Sequence, residues 1–265
     1  MALNHTHEAY PNYVLANEIE DQYNSKLDLM RFCTVDNSLV GVAGDTKKIR
    51  VYQATDATEK LAMGEGNTKN IEVSYADVDY TILLAQNRFP YYDEEQMKDP
   101  LVVQTGVRHM TTDMFNTVQA DIFAEFNKAT QIVNLSGTDY FSAFVDAVAK
   151  LPGENQEERE VFAFVHPNDK AAVRKALKED LVYVESFVRT GYIGTVAGVN
   201  LYTKADATEG EICGGTKKAV TFFNKKGTEV EQKREPNTRL NEIFSRKYYL
   251  AALTDATECF KIVKA

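Results

Sequence analysis

Between Leu101 and Lys128, apolar residues recur at helical spacing for longer than most compact domains of this size need. Val103, Val107, Met110, Met114, Val118, Ile122 and Phe126 follow one another at intervals of three and four, which places them on one stripe of an α-helix. Upstream, Asp93-Glu94-Glu95 supplies an acidic first turn, favourable at the positive end of a helix dipole. The pattern predicts a helix over 93–128, kinked or restarted at Pro100, because proline cannot donate the backbone hydrogen bond. From Leu101 onward such a helix is about 40 Å long at 1.5 Å per residue.

Before this helix the periodicity changes to two. Apolar and polar residues alternate through Lys48-Ile49-Arg50-Val51-Tyr52-Gln53, again through Ile71-Glu72-Val73-Ser74-Tyr75, and on through Val78, Tyr80 and Ile82. Alternation of this kind marks strands. The apolar face shifts between Tyr75 and Val78, which predicts a bulge. The glycines of Met63-Gly64-Glu65-Gly66-Asn67 give the connection a flexible tip. A two-stranded hairpin is marginal alone in water, so one this long must pack on its own domain or reach onto a neighbour.

After the long helix, residues 138–151 predict a second amphipathic helix with Phe141, Phe144, Val145, Val148 and Leu151 on one face, ended by Pro152-Gly153. Val161-Phe162-Ala163-Phe164-Val165 is a continuous apolar run, as in a strand covered on both faces. His166-Pro167-Asn168 opens a third helix near 168–181, and Gly191 to Tyr202 reads as a glycine-spaced loop feeding a strand. Further strands are predicted at 219–223, at 228–233, and through the tail: Ile243-Phe244, Tyr248 to Leu253, and Phe260 to Val263 after a turn at Thr254-Asp255-Ala256. Residues 1–46 read as an extended arm with one short helix near 15–31. The layout is α+β, without the regular strand–helix alternation of a doubly wound sheet.

Composition removes several classes of function. The formal net charge of −9 argues against holding nucleic acid by counterion release, which needs clustered Lys and Arg. Loose contact with nucleic acid remains compatible with it. No apolar run approaches the roughly 20 residues that cross a bilayer, and no membrane partner is expected. Met1-Ala2-Leu3-Asn4-His5 has neither the basic nor the apolar region of a secretory signal, so folding in a cytosol is expected. Cys33, Cys213 and Cys259 are few, odd in number and far apart, unlike a disulfide framework.

No group of residues composes a catalytic, cofactor or metal site. His5 and His7 stand without further ligands beside them, His109 falls within the long helix, and His166 precedes Pro167 without an evident partner. The Gly191–Gly198 loop lacks the Gly-Lys-Ser/Thr sequel of a phosphate cradle and feeds a strand, not a helix. The pairs Lys225-Lys226 and Lys233-Arg234 read as solvated loop charges.

The order of elements resembles the major capsid proteins of tailed phages, a fold first described in a lambdoid Hong Kong phage. In that resemblance 1–46 corresponds to the N-terminal arm, 47–84 to the extended E-loop hairpin, 85–135 to a peripheral domain with its spine helix, 136–235 to the axial domain, and 236–265 to return strands of the peripheral domain. Glu160 to Pro167, with its following helix, is similar to the family's axial strand and helix. Gly191-Tyr192-Ile193-Gly194-Thr195-Val196-Ala197-Gly198-Val199 is similar to its Gly-x-Ile-Gly-x-x-x-Gly-apolar pattern. The resemblance implies a non-enzymatic protein that self-assembles through pentamers and hexamers into an icosahedral shell around double-stranded DNA in a virion, after assembly in the host cytoplasm. It implies assembly contacts at Gly64, Glu65, Gly66, Asn67, Tyr192, Gly194 and Gly198, and partners in a separate scaffolding protein, a portal and decoration proteins. There is no N-terminal coiled-coil segment of the fused-scaffold kind, and the resemblance places no Lys–Asn cross-link here.

Two rival readings make different expectations. A nanocompartment shell of the encapsulin kind uses the same fold but expects a helical N-terminal segment and a cargo peptide, which the polar, proline-containing residues 1–13 do not favour. A cytosolic enzyme would place His166 or Cys33 in a pocket.

Overall fold

Pro100 divides the helix predicted over 93–128 in two, and the apolar stripe lies wholly in the second part. A computed structural model describes residues 27–55, 57–152, 159–178 and 194–264. In chain order the strands are β1 (Thr34–Asp36), β2 (Thr46–Ala54), β3 (Val73–Thr81), β4 (Leu83–Tyr92), β5 (Gln131–Leu135), β6 (Val161–Val165), β7 (Thr195–Val196), β8 (Val199–Thr203), β9 (Glu211–Thr216), β10 (Val220–Glu235), β11 (Leu240–Leu253) and β12 (Cys259–Lys264). The helices are α1 (Asp93–Lys98), α2 (Leu101–Phe126), α3 (Tyr140–Ala149) and α4 (Pro167–Ala176). Asp93 opens α1 as expected and is anchored there by Arg234 at 2.7 Å and Asn241 at 2.5 Å. Both hydrogen bonds hold its carboxyl below the ordinary carboxylate range.

The 26 residues of α2 span about 39 Å. Their burial is graded: Val107 is exposed, while Met110, Met114, Val118, Ile122 and Phe126 are buried. The helix lies on a four-stranded sheet ordered β1–β10–β11–β4. Its polar side chains are tied across that contact. Asn87 of β4 donates to the carbonyl of Met110 at 2.8 Å, and Tyr249 of β11 donates to Asp121 at 2.5 Å.

Strands β10 and β11 are longer than the sequence pattern suggested. The separate strands expected at 219–223 and 228–233 are one strand of 16 residues, and the tail from Leu240 to Leu253 is a single strand of 14. The polar stretch at Asn224–Glu229 shifts register without ending the pairing, since a bulge absorbs extra residues at lower cost than breaking the ladder. The lysine and arginine pairs expected in solvated loops therefore sit in a strand. Lys225 donates to the carbonyls of Val42 and Gly44, Lys226 pairs with Glu229 at 2.6 Å, Lys233 lies opposite Glu242, and Arg234 pairs with Asp93.

A second sheet has six strands ordered β5–β12–β9–β6–β8–β7. Its strand β6 is buried along its whole length, as the unbroken apolar run predicted. Val161, Ala163 and Val165 face α3 and α4, while Phe162 and Phe164 face α2. Close packing in this sheet relies on Gly214, where a Cβ would lie 2.3 Å from the carbonyl oxygen of Phe162. The sheets cut the chain differently from the expected segments: β10, within 136–235, belongs to the four-stranded sheet, and β12, within 236–265, belongs to the six-stranded one.

Three helical expectations shift. On α3 the buried residues are Tyr140, Ala143, Phe144 and Ala147, while Phe141 and Val145 are exposed. Tyr140 and Ala147 share the stripe of Phe144, and that stripe meets the sheet. Helix α4 ends at Ala176, short of 181, with 179–181 outside the described residues. The expected helix near 15–31 falls mostly outside them too; its described end is a 3-10 turn at Met30–Phe32.

Cys33, Cys213 and Cys259 are buried free thiols. Burial, the largest cause, pushes Cys33 and Cys259 up to about 12 and Cys213 upward as well. Only a thiolate alkylates readily, so all three should resist iodoacetamide at pH 8 in the native protein and react on addition of denaturant. Native-state labelling counted by mass spectrometry checks this.

Gly106 reverses a general rule. Alanine in a helix interior is usually about 1 kcal/mol better than glycine. Here a Cβ would come within 2.3–2.6 Å of three ring atoms of Phe89, and that ring is stacked on buried Tyr91. Gly106→Ala should therefore lose about 1–3 kcal/mol of stability through overpacking, seen as a lower urea midpoint and partly restored by adding Phe89→Leu.

Candidate assembly surfaces

The hairpin β2–β3 pairs without a register shift from Thr46↔Thr81 to Ala54↔Val73. The bulge expected between Tyr75 and Val78 is not formed. The physical meaning of the shifted periodicity is different: the apolar residues change faces halfway along a regular ladder. Directly paired residues share a face. One face carries Lys47, Tyr80, Ile49 and Val78; the other carries Lys48, Asp79, Arg50 and Asp77, then Tyr75 and Val73 towards the tip.

Near its base the first face is seated on the molecule's own body. Ile49 and Tyr80 pack on Leu39, Phe223, Leu250 and Ala252, and the Tyr80 hydroxyl donates to the carbonyl of Leu253 at 3.2 Å. On the opposite face of the same stretch, Lys48 and Arg50 pair with Asp77 and Asp79 at 3.4–3.7 Å. These are exposed pairs, worth little stability each, and they keep that face polar. Beyond them the polar face turns apolar: Tyr75 is 68% and Val73 51% exposed.

The tip that follows is held by its own hydrogen bonds. Glu65 accepts from the Ala62 amide at 3.2 Å and donates its own amide to the Ala62 carbonyl at 3.1 Å. Asn67 accepts from the Lys69 amide at 3.1 Å, and Glu59 accepts from Thr68. Gly64 takes a φ of +91°, a conformation costly for other residues. Gly64, Glu65, Gly66 and Asn67 are all exposed, with Met63 fully so.

The other expected contact residues are on a different element. Tyr192 lies outside the described residues. The Gly194 carbonyl accepts from Leu201 at 3.0 Å. Gly198 and Ala197, at φ +80° and +48°, form the two-residue turn of the β7–β8 hairpin, whose twist requires positive φ at both positions. This turn lies at the edge of the six-stranded sheet, away from the β2–β3 ladder in pairing.

The residues of the enzyme reading have structural tasks. His166 caps α4, its Nδ1 accepting from the Asn168 amide at 3.2 Å. Cys33 is buried and donates to the carbonyl of Leu29 at 3.2 Å. His109 is exposed on α2, and His5 and His7 lie outside the described residues. Among the described residues no three His, Cys, Asp or Glu side chains are grouped to hold a metal ion, and no helix is long and apolar enough to cross a membrane. A cavity of about 250 Å³ lies between α2 and strands β10–β11, with Met30, Met114, Val230 and Ile243 in its wall.

Sequence reading missed the Tyr75–Val73 patch and this cavity. The switch of apolar face was visible in the sequence, but it marks a patch only once the ladder is seen to pair without a bulge. The cavity joins residues distant in sequence and had none.

The chain is 23% identical over 262 residues to the major capsid protein of Staphylococcus phage phiMR11, covering 95% of this chain and 92% of that one. A capsid structure of the cyanophage P-SCSP1u superposes with a TM-score of 0.71 at 14% identity, covering 96% of this chain and 93% of that chain. A structure from Mycobacterium phage Che8 gives 0.70 at 16% identity, covering 98% of both chains. No family model matches the sequence. The fold is that of tailed-phage capsid subunits, with the long helix as spine and the β2–β3 hairpin as the extended loop. The full-length likeness to the major capsid protein of a Staphylococcus phage agrees with that fold.

The face change separates two roles within one hairpin. Tyr75→Asp combined with Val73→Asp should leave the unfolding midpoint of the isolated subunit unchanged and prevent particle formation. Ile49→Asp should instead lower subunit stability by about 2–5 kcal/mol through loss of packing on the body. Thermal unfolding and electron microscopy of the same preparations separate the two outcomes.

Proposed function

We propose that the protein assembles through pentamers and hexamers into an icosahedral shell enclosing a double-stranded DNA genome. The single observation that carries this is the hairpin, which shows one apolar face to its own body and, farther out, another to solvent. A hydrophobic patch on a self-supporting arm is expected to meet a partner. In a homo-oligomer that partner is the adjacent copy. Contacts of this head-to-tail kind close into rings when the rotation between copies closes, and repeated rings give strength through multivalency.

In this reading the six-stranded sheet with α3 and α4 is the axial unit, whose loops, including Gly194 and Gly198, gather around the five-fold and six-fold axes. The four-stranded sheet with α2 is the peripheral unit. Gly64, Glu65, Gly66 and Asn67 touch the neighbouring subunit. The role is structural, with no reaction assigned. The net charge of −9 suits a wall that touches DNA loosely, since strong adhesion would require clustered cations. A separate scaffolding protein, a portal and decoration proteins complete the particle, and assembly takes place in the host cytoplasm.

Expression of the whole chain, followed by size-exclusion chromatography and negative-stain electron microscopy, tests the reading. Rings, spheres or tubes are expected. Particles that copurify with a cargo enzyme would replace the genome container with a nanocompartment. A strictly monomeric species at every salt and protein concentration, even with the other head proteins present, would overturn the shell function.

A further inference from the structure

The cavity between α2 and strands β10–β11 is an apolar groove open at its rim. Met30 and Gln119 stand at one end and Val107 at the other, with Met114 between them and exposed Val230 at the mouth. From Gln119 back to Val107 the helix runs about 18 Å. The chain enters beside the Gln119 end. The Leu29 amide donates to Gln119 Oε1 at 2.5 Å, and Gln119 Nε2 donates to Asp28 at 3.3 Å. Residues before Leu27 therefore start next to the groove, and 26 of them are available. About twelve in a helix, or about six extended, would cover its length.

The chemistry of those residues matches the groove. Leu15, Ile19 and Tyr23 are spaced four apart, with Glu18, Glu20 and Asp21 among them. The groove wall contains one cation, Lys247. Its ammonium lies over the Phe222 ring at 5.4 Å, and burial alone shifts its pKa, downward, with no acidic neighbour among the described residues opposing it. A partly buried cation in an apolar wall is stabilised by an anion brought with the apolar occupant.

We propose that residues 14–23 of the same chain occupy this groove, Leu15 and Ile19 inward against Met114 and Val230, with an acidic side chain of the segment facing Lys247. The groove is then an internal docking site that fixes the N-terminal segment along the spine helix within each subunit. This goes beyond the shell reading and is tested on the unassembled subunit, so that either can fail without the other.

The chain has no tryptophan, so Ile19→Trp provides a single reporter, with His7→Trp as a reference outside the proposed segment. At concentrations where chromatography shows single subunits, the indole at position 19 should emit to the blue of that at position 7 and be quenched several-fold less by acrylamide. Val230→Arg, at an exposed rim position, should abolish the difference while leaving the circular dichroism unchanged. Hydrogen exchange on the unmodified chain gives the same reading without a reporter: amides of 14–23 should be protected, and lose protection in the Val230→Arg chain. Equal quenching at positions 7 and 19 together with unprotected amides would overturn the proposal. Shielding that appears only as protein concentration rises would also overturn it, by assigning the groove to a second copy.

Discussion

The burial of the last third of the spine helix holds the two sheets together. Ile122 and Phe126 are wholly buried, and Phe126 meets Phe162 and Phe164 of the six-stranded sheet at ring distances of 5.6 and 5.4 Å. The same cluster includes Phe222, Tyr249 and Ala251 of the four-stranded sheet. Neither sheet could cover this face alone, and each fully buried aromatic ring contributes on the order of 1.5–3 kcal/mol. Polar groups at the junction are also satisfied: Gln119 bonds Leu29 and Asp28, and Glu125 accepts from Lys128 and from the Leu253 amide. A buried polar group without such partners would cost about 1–3 kcal/mol.

A rigid junction at one end of the helix leaves the hairpin free to serve as a lever arm. Burial along α2 falls from Phe126 towards Val107, and Ile49 and Tyr80 seat the base of the hairpin on the body. The hairpin therefore extends a regular, hydrogen-bonded ladder away from the body, with exposed Tyr75 and Val73 near its end. Such a construction suits a shell subunit. The body keeps its shape, and in the proposed shell a long reach serves contact with neighbours whose relative angles differ slightly around five-fold and six-fold axes.

Much of this was legible in the sequence because it depends on local periodicity. The stripe from Met110 to Phe126, the restart at Pro100 and the two-sided burial of Val161–Val165 follow from side-chain spacing and proline chemistry. What the sequence obscured depends on partners far away. Asn224–Glu229 reads as a strand break, yet pairing with β11 carries the strand through it. Phe141 and Val145 read as core because they are apolar, but the stripe that meets the sheet is Tyr140, Ala143, Phe144 and Ala147. Among the proposed contact residues, the exposure of Gly64–Asn67 could be read from glycine content. The Tyr75–Val73 patch could not be recognised until the ladder was known to run without a bulge.

The most direct measurement is a reconstruction of the assembled particle at side-chain resolution. Tyr75 and Val73 of each hairpin should lose their solvent exposure against a neighbouring subunit, while Ile49 and Tyr80 keep their seat on their own body. A shell in which Tyr75 and Val73 remain in solvent, with the subunits joined only through the six-stranded sheets, would contradict this.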